Sequence, residues 1–292
     1  MGSPAVAART LRALAEAGHD VRLVVTAADK RRGRGAAVLP TPVKQAAGEL
    51  GIPVSTEVGD VVTAGAELGV VVAFGRLIPP EVLRELPMVN VHFSLLPRWR
   101  GAAPVERAIL SGDHVTGVCL MQVEEGLDTG PVYACTSTPI GPDETAAELR
   151  ERLGELGTSL LLSRLEHGVT GLGTPTPQSG EPTYAEKLTA DDLRLDFSLP
   201  AVQLHRVIRV GRAWCVAQGR RLLVHRAAVE EGGPDAAGPT GEALAPGMVV
   251  EGRIACGEGR LVLLEVQAEG RRRQPFDEWA RGARLREGDT LS

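Results

Sequence analysis

A short alternation of apolar and polar residues in the middle of the chain limits its possible folds more than any other feature. In Met88-Val89-Asn90-Val91-His92-Phe93-Ser94, the apolar Val89, Val91 and Phe93 alternate with Asn90, His92 and Ser94. A period of two belongs to a β-strand, and it sets a carboxamide, an imidazole and a hydroxyl on one side of it. Leu95-Leu96-Pro97 stops the strand, because proline has no N–H to give to a ladder. Arg98 to Gly101 then read as a charged turn into a helix starting near Pro104. A strand that ends in polar groups and opens into a loop is where α/β proteins place their chemistry.

The pattern recurs downstream. Thr116 to Val123 has the β-branched, apolar texture of a buried strand, and Glu124-Glu125-Gly126-Leu127-Asp128-Thr129-Gly130 is a loop carrying Asp128. Upstream, the unbroken apolar run Gly69 to Gly75 reads as a buried parallel strand, and Val21 to Thr26 as another. Ser3 is the expected N-cap of a first helix, with Pro4 in its first turn. A further helix is expected within Glu57 to Leu68, although Gly59 and Gly65 weaken it. Asp143-Glu144-Thr145 opens a long helix reaching about Leu165, whose leucines at 149, 153, 156, 160 and 161 form an apolar face. Gly168 to Gly180, rich in Gly, Thr and Pro, has the composition of a linker, and from Ala213 onward short strands between Gly-containing turns suggest a small β-barrel.

At 292 residues the chain has room for two domains. No run approaches the roughly 18 to 20 apolar residues that a membrane span needs, and the N-terminus lacks the order of a signal peptide, so a cytoplasmic protein is expected. Cys119, Cys135, Cys215 and Cys256 are scattered with no Cys-x-x-Cys or Cys/His cluster; they are expected to be small apolar fillers, with neither a zinc site nor a disulfide framework. The net charge of −5 argues against a general nucleic-acid binder, but the acidity is local: residues 1–197 hold 18 basic and 25 acidic residues, and residues 198–292 hold 14 and 12. The run Asp29-Lys30-Arg31-Arg32-Gly33-Arg34-Gly35 concentrates four cations among glycines and, on charge alone, reads as a solvated loop rather than a binding element.

Together, Asn90, His92, Ser94-Leu95-Leu96-Pro97 and Asp128 within Gly-Leu-Asp-Thr-Gly resemble the signature of the folate-dependent formyltransferases. Arg98-Trp99-Arg100-Gly101-Ala102-Ala103-Pro104-Val105 and Thr183-Tyr184-Ala185-Glu186-Lys187 are similar to the branch whose acceptor is the amine of methionyl-initiator tRNA. The resemblance implies an α/β fold with a doubly wound, Rossmann-like catalytic domain over residues 1–168, a junction over 169–197 and an OB-like, tRNA-binding β-barrel over 198–292. It implies 10-formyltetrahydrofolate as formyl donor, no metal, and a monomeric enzyme of translation initiation. Ser94, Leu95, Leu96 and Pro97 become donor-binding, and Lys30, Arg31, Arg32 and Arg34 become contacts to the tRNA acceptor stem. In relatives the tripeptide matching Gly2-Ser3-Pro4 follows an apolar strand central to the sheet; that strand is absent here, and the expectation is that it precedes Met1 in the protein.

Moving a formyl group from a folate nitrogen to an amine passes through a tetrahedral oxyanion and needs a proton route from the amine to the leaving nitrogen. Residues i and i+2 of a strand share a face, so Asn90 and His92 have the spacing to aim two N–H groups at one oxygen. Asp128 would relay the amine proton through water. Two other readings fit the same residues: the same chemistry on a different amine, an amino-sugar nucleotide or glycinamide ribonucleotide, and an inactive folate- or RNA-binding relative.

Overall fold

The protein is described by a computed structural model covering residues 1–31, 38–230 and 244–292. Its contacts divide it into two compact units: Met1–Val105 with His114–Ile140 and Glu148–Glu186, and Glu106–Asp113 with Gly141–Ala147 and Lys187–Ser292.

The first unit begins with α1 (Ala5–Glu16) and β1 (Val24–Val25), then a two-residue ladder of β2 (Lys30–Arg31) with β3 (Val38–Leu39). Next come α2 (Pro42–Glu49), β4 (Val54–Ser55), β5 (Gly69–Val72), α3 (Pro80–Glu85), β6 (Met88–His92) and β7 (Arg100–Gly101). Helix α4 (Pro104–Ser111), most of which belongs to the second unit, precedes β8 (Val115–Gln122) and β9 (Val132–Pro139); α5 (Ala146–Leu165), whose first two residues also belong to the second unit, and β10 (Tyr184–Ala185) follow. Strands β5, β6, β8 and β9 form one sheet, parallel between β5 and β6 and antiparallel beyond. The burial of Met88, Val89, Val91 and His92 shows why β6 lies inside it. The helix expected within Glu57 to Leu68 is a 3₁₀ segment, Val58–Thr63, in keeping with the cost of Gly59 and Gly65 to a longer α-helix.

Local chemistry fixes the ends of these elements. Thr41 caps α2, its Oγ1 accepting the Lys44 N–H at 3.1 Å, and Pro42 takes the first helical position where its missing N–H is harmless. Ser3 does not cap α1, contrary to expectation. Its hydroxyl instead accepts the Ala27 N–H at 3.1 Å and binds Thr26, which hydrogen-bonds Thr41 at 2.8 Å, so it ties the chain start to the end of β1.

Strand β1 pairs with β4, and Met1-Gly2 lies between β1 and β5. The Gly2 N–H donates to Val25 O at 3.1 Å, and Val72 N–H donates to Met1 O at 2.9 Å. These two bonds pair Gly2 with β1 and Met1 with β5. Beside them opens a cavity of about 450 Å³ lined by Thr10, Leu11, Leu14, Leu23, Val70 and Leu86 among others; Asn90, His92 and Asp128 are not in its lining.

In the second unit, α6 (Ala201–Val210) packs on a curled antiparallel sheet of β11 (Ala213–Ala217), β12 (Arg220–Glu230), β13 (Val249–Val250), β14 (Arg253–Ala255) and β15 (Arg260–Ala268). Strand β16 (Gln274–Pro275) pairs with β15 and leads into α7 (Phe276–Ala283). The strand order β11-β12-β15-β14-β13 leaves β11 and β13 at opposite edges. Thr290 to Ser292 span them: Met248 bridges Thr290, and Val216 exchanges two backbone hydrogen bonds with Ser292. The core holds Leu204, Ile208, Leu222, Val224, Ile254 and Leu261. Among the described residues, no helix is long and apolar enough to cross a membrane.

One expectation about cysteine is corrected. Cys119 and Cys135 are not isolated fillers; they face each other across β8 and β9 and form a disulfide. Cys215 and Cys256 are free and buried, and burial pushes their thiols up to about 12 and about 11.

Candidate active site

The site lies at the end of β6 within the first unit. Asn90 and His92, two residues apart, share a strand face; Asn90 is half-buried and His92 is 5% exposed. His92 Nε2 lies 3.0 Å from the carbonyl oxygen of Trp99. A carbonyl can only accept, so Nε2 carries the hydrogen. Nδ1, on the other side of the ring, faces Asp128 Oδ2 at 3.6 Å. Among the described residues, no His, Cys, Asp and Glu are grouped as a metal site would need.

Asp128 is held from two directions. Its Oδ2 accepts the backbone N–H of Gly101 at 2.8 Å, and its backbone is left-handed, φ 52°. Gly101 itself has φ 120°, and a Cβ there would come within 2.9 Å of Ala185 O, so only glycine lets the loop close over β10. Gly130 closes the Asp128 loop at its far end, where a Cβ would meet the Gln122 carbonyl oxygen at 2.0 Å.

The turn after β6 is internally satisfied. Ser94 is fully buried and donates its hydroxyl to the Arg98 carbonyl, the Leu96–Pro97 peptide is cis, and Leu95, Leu96 and Pro97 are half-buried. Trp99 takes φ 62°, uncommon for a bulky residue, with the Arg98 guanidinium 4.3 Å over its ring. The segment read as the junction braces this loop. Thr183 Oγ1 accepts the Trp99 N–H at 2.9 Å, Thr183 O accepts the Arg100 N–H at 2.8 Å, and Ala185 O accepts those of Ala102 and Ala103. Strand β10 runs parallel to β7.

No residue pattern points to Gln178 in advance. Its Oε1 accepts from Arg100 Nε at 3.1 Å and Nη2 at 2.8 Å, and its Nε2 donates to Asp128 O and Gly130 O, both at 2.8 Å. The Trp99 carbonyl and the Gly101 amide were equally invisible, since backbone groups leave no residue-type signal.

Of the basic run, Lys30 and Arg31 lie in β2, while Arg32 and Arg34 fall outside the described residues. In the second unit, Arg209 is taken up by the carbonyls of Glu144 and Gly141, and Arg206 packs beside Gly112. Arg221 covers the Trp214 ring at 4.4 Å, and Arg271, Arg272 and Arg273 are exposed.

The end of β6 thus carries Asn90 and His92 on one face of an α/β scaffold, and Asp128, from the loop after β8, meets His92 there. The chain belongs to the formyl transferase family: the family model described as formyl transferase matches residues 1–165, and that of the formyl transferase C-terminal domain matches residues 187–284. It is 42% identical over 300 residues to a methionyl-tRNA formyltransferase of Paracoccus denitrificans, covering 98% of this chain and 97% of that one. It is 39% identical to a methionyl-tRNA formyltransferase of Heliobacterium modesticaldum, covering 99% and 97%. The fold is also that of HypX from Aquifex aeolicus, solved in complex with tetrahydrofolic acid, at 22% identity and a TM-score of 0.58 over 80% of this chain; the match spans 43% of HypX.

Proposed function

We propose that the chain transfers a formyl group from 10-formyltetrahydrofolate to the amine of methionyl-initiator tRNA. The observation that carries this reading is the convergence of His92 and Asp128, 3.6 Å apart from separate segments, on the strand face shared with Asn90. A chain 42% identical to a methionyl-tRNA formyltransferase over nearly its whole length supports the choice of acceptor.

In this reading the neutral amine attacks the formyl carbon, the carbonyl oxygen becomes an oxyanion, and the carbonyl re-forms as the bond to the folate nitrogen breaks. The Asn90 amide stabilises the oxyanion; removing one such donor typically costs about 100-fold or more in rate. Asp128 takes the amine proton through water, and the folate nitrogen ends protonated, so the proton count balances. His92 Nε2–H is engaged by Trp99 O, and for it to reach the oxyanion that carbonyl must release it, which couples substrate entry to the Arg98–Gly101 loop. The Ser94–Pro97 turn receives the folate. Lys30, Arg31, Arg32 and Arg34 contact acceptor-stem phosphates, and the enzyme works as a cytoplasmic monomer.

The test is to supply purified chain with 10-formyltetrahydrofolate and either charged initiator tRNA, an amino-sugar nucleotide or glycinamide ribonucleotide. Formyl-methionyl-tRNA is the expected product. Transfer only to one of the small amines would overturn the acceptor assignment, and transfer to none would overturn the activity.

A further inference from the structure

We propose that Gln178 is a positioning residue that sets the orientation of the Asp128 carboxylate by clamping the two loops that meet there; this rests on the reading of Asp128 as part of the transfer site. The side-chain amide of Gln178 uses its full hydrogen-bonding capacity. Both lone pairs of Oε1 are taken by the Arg100 guanidinium, and both hydrogens of Nε2 go to the carbonyls of Asp128 and Gly130. The contacts close a ring. Arg100 and Gly101 are adjacent, Gly101 holds the Asp128 carboxylate by its N–H, and the backbone carbonyl of that same aspartate returns to Gln178. Asp128 is thus gripped at its carboxylate from one loop and at its peptide plane from the Gln178 segment.

The clamp is needed because the backbone of Asp128 is in the left-handed region, which an L side chain adopts at some cost and leaves readily unless its peptide groups are fixed. Gln178 is itself anchored on both sides. Thr176 exchanges two 2.8 Å backbone hydrogen bonds with Val132 at the start of β9, and Thr183 bonds the Pro97–Arg100 loop. A glutamine suits the position and its closest isosteres do not. Glutamate would keep the Arg100 pairing but would face two carbonyls with an oxygen that cannot donate, and methionine would lose both ends.

Displacing a reacting group by about 1 Å can cost about 100-fold in rate, so Gln178→Glu is expected to lower kcat for formyl transfer by about 10- to 100-fold. KM for the formyl donor should stay within about threefold, because the clamp's contacts lie in the protein and not on the substrate. The deciding experiment is a double-mutant cycle of Gln178→Glu with Asp128→Asn, measuring kcat in each. If Gln178 acts through Asp128, adding Gln178→Glu to Asp128→Asn lowers kcat no further. Should the glutamate variant fail to fold, Arg100→Met opens the clamp from its other end and enters the same cycle with the same expectation. Full multiplication of the two effects, or wild-type kcat in Gln178→Glu, would overturn the positioning role while leaving the site reading intact. Wild-type kcat in Asp128→Asn alone would overturn the site reading, and the clamp's role with it.

Discussion

The backbone N–H of Gly101 donates to the carboxylate of Asp128 across 2.8 Å, joining the loop after β6 to the loop after β8. The contact exists only because residue 101 can hold φ 120° with Ala185 O close behind it. Gly101→Ala is therefore expected to destabilise the protein by about 1–3 kcal/mol, the usual cost of forcing a side chain into such backbone, and to reduce transfer by more than the loss of folded protein explains. Urea unfolding midpoints alongside kcat per folded molecule would check it; unchanged stability and turnover would show that the loop shifts without consequence.

The second unit carries a pH-dependent element. Burial and the nearby Arg209 lower the pKa of His205, with Asp143 at 3.6 Å opposing them only in part. A histidine whose folded pKa is depressed takes up its proton more readily when unfolded, so in the window below about 6.5 the unfolded chain binds more protons and stability rises with pH. Acidification through that window is expected to lower the unfolding midpoint, and His205→Gln should flatten the slope. His225, lowered chiefly by burial, contributes in the same direction, so the flattening is partial. A midpoint independent of pH in the wild type would contradict this.

The cysteine pairing gives a direct chemical count. Denatured without reductant, the protein should expose two titratable thiols, from Cys215 and Cys256, and four after reduction. Cys135→Ser should lower stability by roughly 3 kcal/mol under oxidising conditions, the scale expected for closing a loop of this length, and by much less with reductant present. Four thiols before reduction would show that the bond is absent.

The parts of this architecture that were legible in the sequence are those set by local pattern. The alternation around Asn90 and His92 marked β6, the run Thr116 to Val123 lies one residue from β8 at Val115–Gln122, and the leucine stripe marked α5. The features that escaped depend on segments distant in sequence meeting in space. Cys119 faces Cys135 only through the β8–β9 register. Ser3 has the chemistry of a helix cap, but tertiary contact with Thr26 and Ala27 claims its hydroxyl first. Gln178 sits in a Pro, Gly and Thr-rich stretch whose composition signals a tether, yet its side chain is half-buried against Asp128 and Arg100. Asp128 could be nominated from its loop, while the amide and carbonyl that fix it and His92 belong to backbone.

The most direct measurement is single-turnover formation of formyl-methionyl-tRNA by the wild type and by Asp128→Asn, with folate binding and unfolding followed in parallel. The carboxamide matches the carboxylate in size and can still accept the Gly101 N–H, so the variant should fold and bind folate. Its transfer rate should fall about 100-fold or more, since the proton acceptor facing His92 is gone. Transfer at the wild-type rate by Asp128→Asn would contradict the assignment.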